Sequence, residues 1–248
     1  VQTGTSQGYQ GFREQRPLLR ALRRLLVFIL ILFATYQVVT LLLVRSVEQQ
    51  SLSMRPTLDP GDRVLLVPMV YGSRLPLFDS RLPGFRSPER GDLVAIRPAY
   101  MPEVGVGLRI FDPVARFITA QERSLVGRSD WRSRIQIKRI VGLPGDTIRI
   151  ERFVAFVQPG GQGEFVNEFT LSDRAYSVRD AARPGAWQET DFLGGATGEV
   201  TLGHAEYFVL SDDRSVGLDS RHWGAVEKGD IHGKLWLRVW PFSRFGQL

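Results

Sequence analysis

The sequence predicts a mainly β protein: an N-terminal single transmembrane helix, then an antiparallel β-sheet domain carrying a short helical insert. Three observations lead there. Leu25 to Val44 is a run of twenty residues without a charge, long enough as a helix to cross a hydrocarbon core of about 30 Å. After Gln49 the pattern breaks into short β-type runs bounded by turns. One turn recurs, a Gly-Asp pair at 61–62, 91–92, 145–146 and 229–230.

Taken in order, residues 1–12 are rich in Gly, Gln, Thr and Ser and read as disordered, so 1–24 is a basic tail. Five arginines precede the apolar run and only Arg45 follows it closely, which places the N-terminus in the cytoplasm and 45–248 on the extracytoplasmic side. A cleaved signal peptide is the rival, but the run is longer than a typical h-region and no A-x-A-like site follows it. A buried core helix is the other alternative, since the run is apolar on every face.

The net charge of +6 does not describe a nucleic-acid-binding face. Residues 1–48 carry a net +4, which leaves 26 basic and 24 acidic groups on the rest. With no cysteine, a disulfide framework, a zinc–thiolate site and a cysteine nucleophile are all excluded.

In each Gly-Asp pair, glycine suits the positive φ of a turn and aspartate can bond to the nearby backbone, so each pair is expected to start a strand. The strands expected are Arg63–Val67, Leu93–Arg97, Ile135–Val141, Thr147–Val157, Glu206–Leu210 and Lys234–Trp240. Two inserts interrupt them, near 99–130 and 160–198. Within the first, Pro113–Val126 reads as a helix with Asp112 as N-cap and Gly127 past its end, its Val114, Phe117, Ile118 and Leu125 stripe packing on the domain. The second, rich in Gly, Asp and Arg, reads as a surface excursion of little catalytic weight.

Chemistry concentrates in three places. Just beyond the apolar run lies Ser51-Leu52-Ser53-Met54-Arg55-Pro56-Thr57-Leu58, with two serines two apart. Then there is lysine usage: of 32 basic residues only Lys138, Lys228 and Lys234 are lysines. Arginine keeps its proton in proteins, whereas lysine can lose one when desolvated. Lys138, in Ile135-Gln136-Ile137-Lys138-Arg139-Ile140-Val141, is therefore a candidate base for Ser53; an exposed strand lysine is the alternative. Strand alternation puts Lys138 and Arg139 on opposite faces. Third, Leu210 to Gly224 is dense in Asp, Arg and Ser, as suits a loop knit by ion pairs. His204, His222 and His232 lack ligand spacing and read as turn or surface residues, so no metal and no cofactor is expected.

Together and in this order, these stretches resemble bacterial type I signal peptidases, the membrane-bound serine–lysine endopeptidases that remove signal peptides from exported preproteins. The blocks that carry the likeness are Ser51–Val67, Arg90–Pro98, Lys138–Ile148 and Leu210–Gly224, and Lys-Arg-Ile-Val-Gly-Leu-Pro-Gly-Asp at 138–146 is the most specific. The resemblance implies Ser53 as nucleophile, Lys138 as general base, and the Ser51 hydroxyl with the Ser53 N–H as oxyanion hole. Asp212, Arg214, Asp219, Ser220 and Arg221 would brace the site. Cleavage after small residues and residence in the bacterial cytoplasmic membrane are further implications. The expected partners are the signal peptides, the bilayer and the export translocon, with no nucleic acid. Four positions depart from the family pattern. Ser211 and Asp213 stand where members usually carry glycine and asparagine, Leu52 replaces a glycine between the two serines, and Gly217 stands where many members carry a serine that orients the lysine. Ser215 or Ser220 would have to compensate for that last change. These departures also raise the alternatives of a catalytically weakened paralogue or a non-enzymatic membrane-anchored β-domain that binds precursors.

Overall fold

The computed structural model describes residues 15–39, 43–72, 82–98, 135–179 and 196–248, with a few residues of 111–119. The chain divides into two compact units, 1–40 and 41–248. In the first, helix α1 (Gln15–Val38) carries exposed leucines, isoleucines and valines along its length from Leu18 onward. Among the described residues no helix is long and apolar enough to cross a membrane. The uncharged part of α1, from residue 25 to Val38, rises only about 21 Å. Residues 40–42, within the predicted apolar run, lie outside the described residues.

The second unit is built on β-structure. Its strands are β1 (Arg45–Glu48), β2 (Arg63–Val67), β3 (Leu93–Ile96), β4 (Gln136–Gly142), β5 (Thr147–Glu151), β6 (Val154–Gln158), β7 (Val166–Asn167), β8 (Thr197–Thr201), β9 (Glu206–Leu210), β10 (Val226–Glu227), β11 (Ile231–Trp240) and β12 (Gly246–Gln247). Two short helices accompany them, α2 (Glu168–Leu171) and α3 (Ser220–Trp223). The larger sheet runs β1-β2-β11-β3-β4-β9-β10 with β12 added to β11, and the smaller runs β7-β6-β5-β8. Every paired strand in both sheets is antiparallel.

The recurring Gly-Asp pair is a corner device. Gly61, Gly91 and Gly145 all take positive φ, between 83° and 91°, a region open to glycine without a Cβ penalty. The aspartate that follows accepts an N–H from three residues back: Asp59 to Asp62 at 3.0 Å, Glu89 to Asp92 at 3.1 Å, Leu143 to Asp146 at 2.6 Å. A cation from a distant element then clamps each one. Arg238 and Arg244 hold Asp62, Lys234 holds Asp92, and Arg90 holds Asp146. The fourth pair differs, because Gly229 and Asp230 close a 3-10 turn and Asp230 binds Arg97 at 3.1 Å.

Both faces of the larger sheet are covered. On β3, Leu93 and Ala95 join a core with Met54, Leu58, Leu66 and Ile137, while Val94 and Ile96 join another with Tyr71, Ile140 and Val209. All four β3 residues are therefore buried, and so is most of β4 beside it. Beyond Gln136 at its start, a polar side chain on β4 is buried whichever way it points.

Three expectations need correction. Thr147–Val157 is a hairpin rather than one strand. Arg152 and Phe153, both at positive φ (49° and 69°), turn β5 into β6, so both sit in the turn. In the first insert, the described residues of 111–119 are helical, with the Thr119 N–H bonded to the Ala115 carbonyl at 3.0 Å. There Val114 and Ile118 are exposed instead of packed, while Phe117 is half-buried; Asp112, Pro113 and 120–127 with Leu125 and Gly127 lie outside the described residues. The second insert is no mere surface excursion over its described part. Glu168 on α2 is buried, and Arg179 pairs with the 212–214 loop through two backbone bonds, to Asp212 O (2.9 Å) and from Arg214 N (2.8 Å).

Candidate active site

Ser53 lies in a 3-10 turn, Leu52–Met54, between β1 and β2. Met54 and Leu58, both buried, pin this turn to the core, and the Leu58 N–H bonds back to Met54 O at 2.8 Å. Ser53 is buried and Ser51 is exposed, and their hydroxyls lie 2.8 Å apart. The Ser53 carbonyl accepts from the Asp213 N–H at 2.9 Å, so the turn is fastened to the loop that follows β9.

Lys138 is carried by β4 to the same loop. It pairs across the sheet with Val94, is 2% exposed, and donates from Nζ to Ser211 Oγ at 2.8 Å. The amine also lies 5.8 Å from the Trp223 ring centroid. Burial pushes its pKa down, and so does Arg221, against the opposite pull of Asp219 and Asp212; the net is a fall from 10.5 to about 8. The Lys138 amine thus binds Ser211 rather than Ser53. The two candidates are joined through the loop, which holds one at Ser211 and the other at Asp213.

Arg139, on the opposite face of β4, ties the framework together. It grips Asp212 with Nε (2.7 Å) and Nη2 (2.6 Å), reaches Gly91 O at 2.8 Å, and stacks 4.1 Å from the Tyr176 ring centroid. Thr57 donates to Asp212 at 2.5 Å, which gives the Pro-Thr pair after the serines its purpose. Arg214, fully buried, binds Glu168 at 2.7 Å and Phe153 O at 3.1 Å. Glu168 also accepts from Tyr176 Oη, and burial next to that carboxylate raises the phenol pKa well above its usual range.

Asp219 caps α3 and accepts from Arg221 through both oxygens, at 2.8 and 2.9 Å. Burial alone would raise its pKa, but the nearby His222 and the hydrogen bonds and charge of Arg221 overcome that and hold it well below the usual carboxylate range. Its other service is to accept the Ser211 N–H at 2.9 Å, so Asp219 fixes the residue that fixes Lys138.

The structure draws Ser53, Lys138, Asp212, Asp219 and Arg221 around one loop, and Arg214 braces that loop from behind. Ser220 and Ser215 do not compensate for Gly217. Ser220 Oγ accepts from the Val209 N–H at 3.0 Å, and Ser215 binds Asp213. Ser211 takes the place instead. A Cβ on Gly217 would fall 1.9 Å from Ser211 Oγ, so a hydroxyl anchored at 211 fills the space that a side chain at 217 would enter. The two departures from the family pattern are one exchange. His222, expected at a turn or surface, is a buried capping residue whose Nδ1 accepts from the Asp219 N–H at 3.2 Å. Thr57, Glu168, Gln49 and the lysine-binding role of Ser211 were not legible in the sequence, because each is defined by partners distant in the chain or by local geometry.

A β-rich unit in which one loop binds both a desolvated lysine and a serine-bearing turn defines a class, and its relatives identify it. The family described as signal peptidase, peptidase S26 matches residues 22–240, and the chain belongs to it. It is 27% identical to a probable signal peptidase I-2 of Synechocystis sp. over 198 residues, 80% of this chain and 64% of that protein. It is 26% identical to signal peptidase I of Pseudomonas aeruginosa over 83% of this chain and 69% of that one. Over a shorter stretch, 110 residues and 44% of the chain, it is 36% identical to signal peptidase I of Bacillus caldolyticus. The chain thus spans about two thirds of the length of the first two relatives. Among solved structures, signal peptidase I of Enterococcus faecalis matches at 19% identity and a TM-score of 0.30, covering 60% of this chain and 97% of that one.

Proposed function

We propose that the chain is a type I signal peptidase, a serine endopeptidase that removes signal peptides from exported preproteins by a Ser53–Lys138 dyad. The observation that carries this is the Lys138 amine, buried, held by Ser211, and with a pKa lowered to about 8. A serine hydroxyl needs a base to attack an amide, and an amine that gives up its proton near pH 8 is one. Ser53 Oγ attacks the scissile carbonyl and its proton passes to Nζ. The Ser51 hydroxyl and the Ser53 N–H meet the developing oxyanion. The protonated lysine then delivers its proton to the leaving amine, and water, activated by the same amine, hydrolyses the acyl-enzyme. Small residues before the cut suit a peptide laid along a strand edge with alternate side chains in shallow pockets.

The membrane setting rests on the sequence run 25–44, with the N-terminus in the cytoplasm, the catalytic unit outside, and the export translocon as neighbour. Trp236, Trp240, Phe242 and Phe245 are all exposed around β11, as suits side chains that meet a bilayer interface. Against the weakened-paralogue alternative, Ser211 offers Lys138 a hydroxyl where Gly217 has none.

The test is cleavage of a precursor bearing a signal peptide by detergent-solubilised protein. Ser53→Ala and Lys138→Arg each lower the rate by at least about a thousandfold. Equal cleavage by all three proteins would reject the dyad. Because the base works only unprotonated, kcat rises with pH through about 8; a rate flat from pH 6 to 9 would remove Lys138 from the chemistry.

A further inference from the structure

We infer that Gln49 positions the Ser51 hydroxyl as an oxyanion donor, a step that rests on the reading of Ser53 as nucleophile. Gln49 is 4% exposed, and its side-chain nitrogen donates to Ser51 O at 2.8 Å and to Ser51 Oγ at 3.1 Å. The first contact fixes the orientation of the amide, because a backbone carbonyl only accepts and must therefore meet the NH2 group. The second N–H of the same group then faces Oγ. One lone pair of Ser51 Oγ is taken, and its single proton is left to point elsewhere.

The rest of the local geometry says where. Ser51 is the N-cap of the 3-10 turn, a position where serine commonly accepts a backbone N–H, yet its hydroxyl makes no capping bond. It lies instead 2.8 Å from Ser53 Oγ. A hydroxyl that receives a hydrogen bond is a stronger donor along its own O–H, so Gln49 turns Ser51 from a helix cap into a polarised donor aimed at the reacting centre. Gln49 itself is immobile. Its N–H bonds to Asp62 O and its carbonyl accepts from Gly61 N, both at 2.8 Å, so the first Gly-Asp corner sets the height of the amide above the serine turn. Gln49 touches no reacting atom; it is a positioning residue that acts through Ser51.

A double-mutant cycle tests this. Steady-state cleavage of a signal-peptide-bearing precursor is measured for wild type, Gln49→Met, Ser51→Ala and the double variant, with Ser53→Ala as control. Gln49→Met is expected to lower kcat about tenfold with KM unchanged, and to change kcat less than about twofold when Ser51 is already alanine. Gln49→Glu, whose carboxylate would draw the Ser51 proton toward itself, is expected to lose at least as much as Gln49→Met. Because the backbone bonds of Gln49 remain, both variants are expected to fold; if the methionine variant does not, the glutamate variant carries the cycle. Equal losses with and without Ser51, or a kcat within twofold of wild type in the single variants, overturn the inference. Full activity of Ser53→Ala overturns the underlying dyad, so the two failures are distinguishable.

Discussion

Lys138 and Arg139 are neighbours on one strand, both basic and both all but removed from water, yet the fold treats them in opposite ways. On the Arg139 face the charge is met in full by two bonds to Asp212, a backbone carbonyl and an aromatic ring. On the Lys138 face the direct partner is a neutral hydroxyl, with Asp219 and Asp212 acting only through space. The first arrangement spends a buried cation on holding three segments together. The second leaves a buried cation poorly compensated, so that losing its proton becomes easy. Burial by itself makes neither a scaffold nor a base; the partner does.

Removing the Arg139 partner should have the largest effect on the fold. Asp212→Ala leaves the guanidinium buried and unpaired, and is expected to cost about 3–5 kcal/mol in a denaturant titration. It also deletes a carboxylate that raises the lysine pKa, so any residual activity should rise with pH through a lower midpoint. A loss below 1 kcal/mol would erase the distinction between the two faces.

Lys138→Met should move stability the other way. The folded pKa lies near 8 and the ordinary value is 10.5, so below pH 8 folding buries a charge, and that penalty fades as pH rises toward 10.5. At pH 7 the penalty is about 3 kcal/mol, or about 2 once the lost bond to Ser211 is discounted. The variant should therefore be inactive but more stable at pH 7, with the gain gone by about pH 10.5. A variant less stable at every pH would mean that the amine is better compensated than its contacts indicate.

The smallest effect is the most specific. Gly217→Ser alone pushes a Cβ into Ser211 Oγ and should cost about 1–3 kcal/mol. Ser211→Gly alone should lower kcat about tenfold by freeing the lysine. The double exchange, Ser211→Gly with Gly217→Ser, should recover most of both losses, and failure to recover either would show that the two positions do not share one space.

The sequence carried the strand cores well where turn chemistry was explicit. Arg63–Val67 and Glu206–Leu210 were read to the residue, and three of the four Gly-Asp corners behave alike. It failed at Arg152-Phe153, since two bulky residues at positive φ leave no glycine or asparagine to mark the turn. At the site, lysine scarcity singled out Lys138. Its neighbours could not be read: Lys138 and Ser211 are 73 positions apart, and Thr57 and Asp212 are 155 apart. No local rule relates such residues. Gln49 was invisible for another reason, since a glutamine beside a glutamine before two serines carries no periodic or capping signal.

The sheet order has a consequence for the life history of the chain. β11 lies between β2 and β3, although it is made long after both. Until Ile231–Trp240 arrives, β2 and β3 have no common neighbour and each offers an open edge. The serine turn leads into β2, and the lysine lies on β4 beyond β3, so β11 joins the two sides through the sheet, in addition to the bonds that the loop after β9 makes to the serine turn. Before β11 is made, Ser53 and Lys138 lie on halves that no strand joins, and the sheet that carries them closes in one late step.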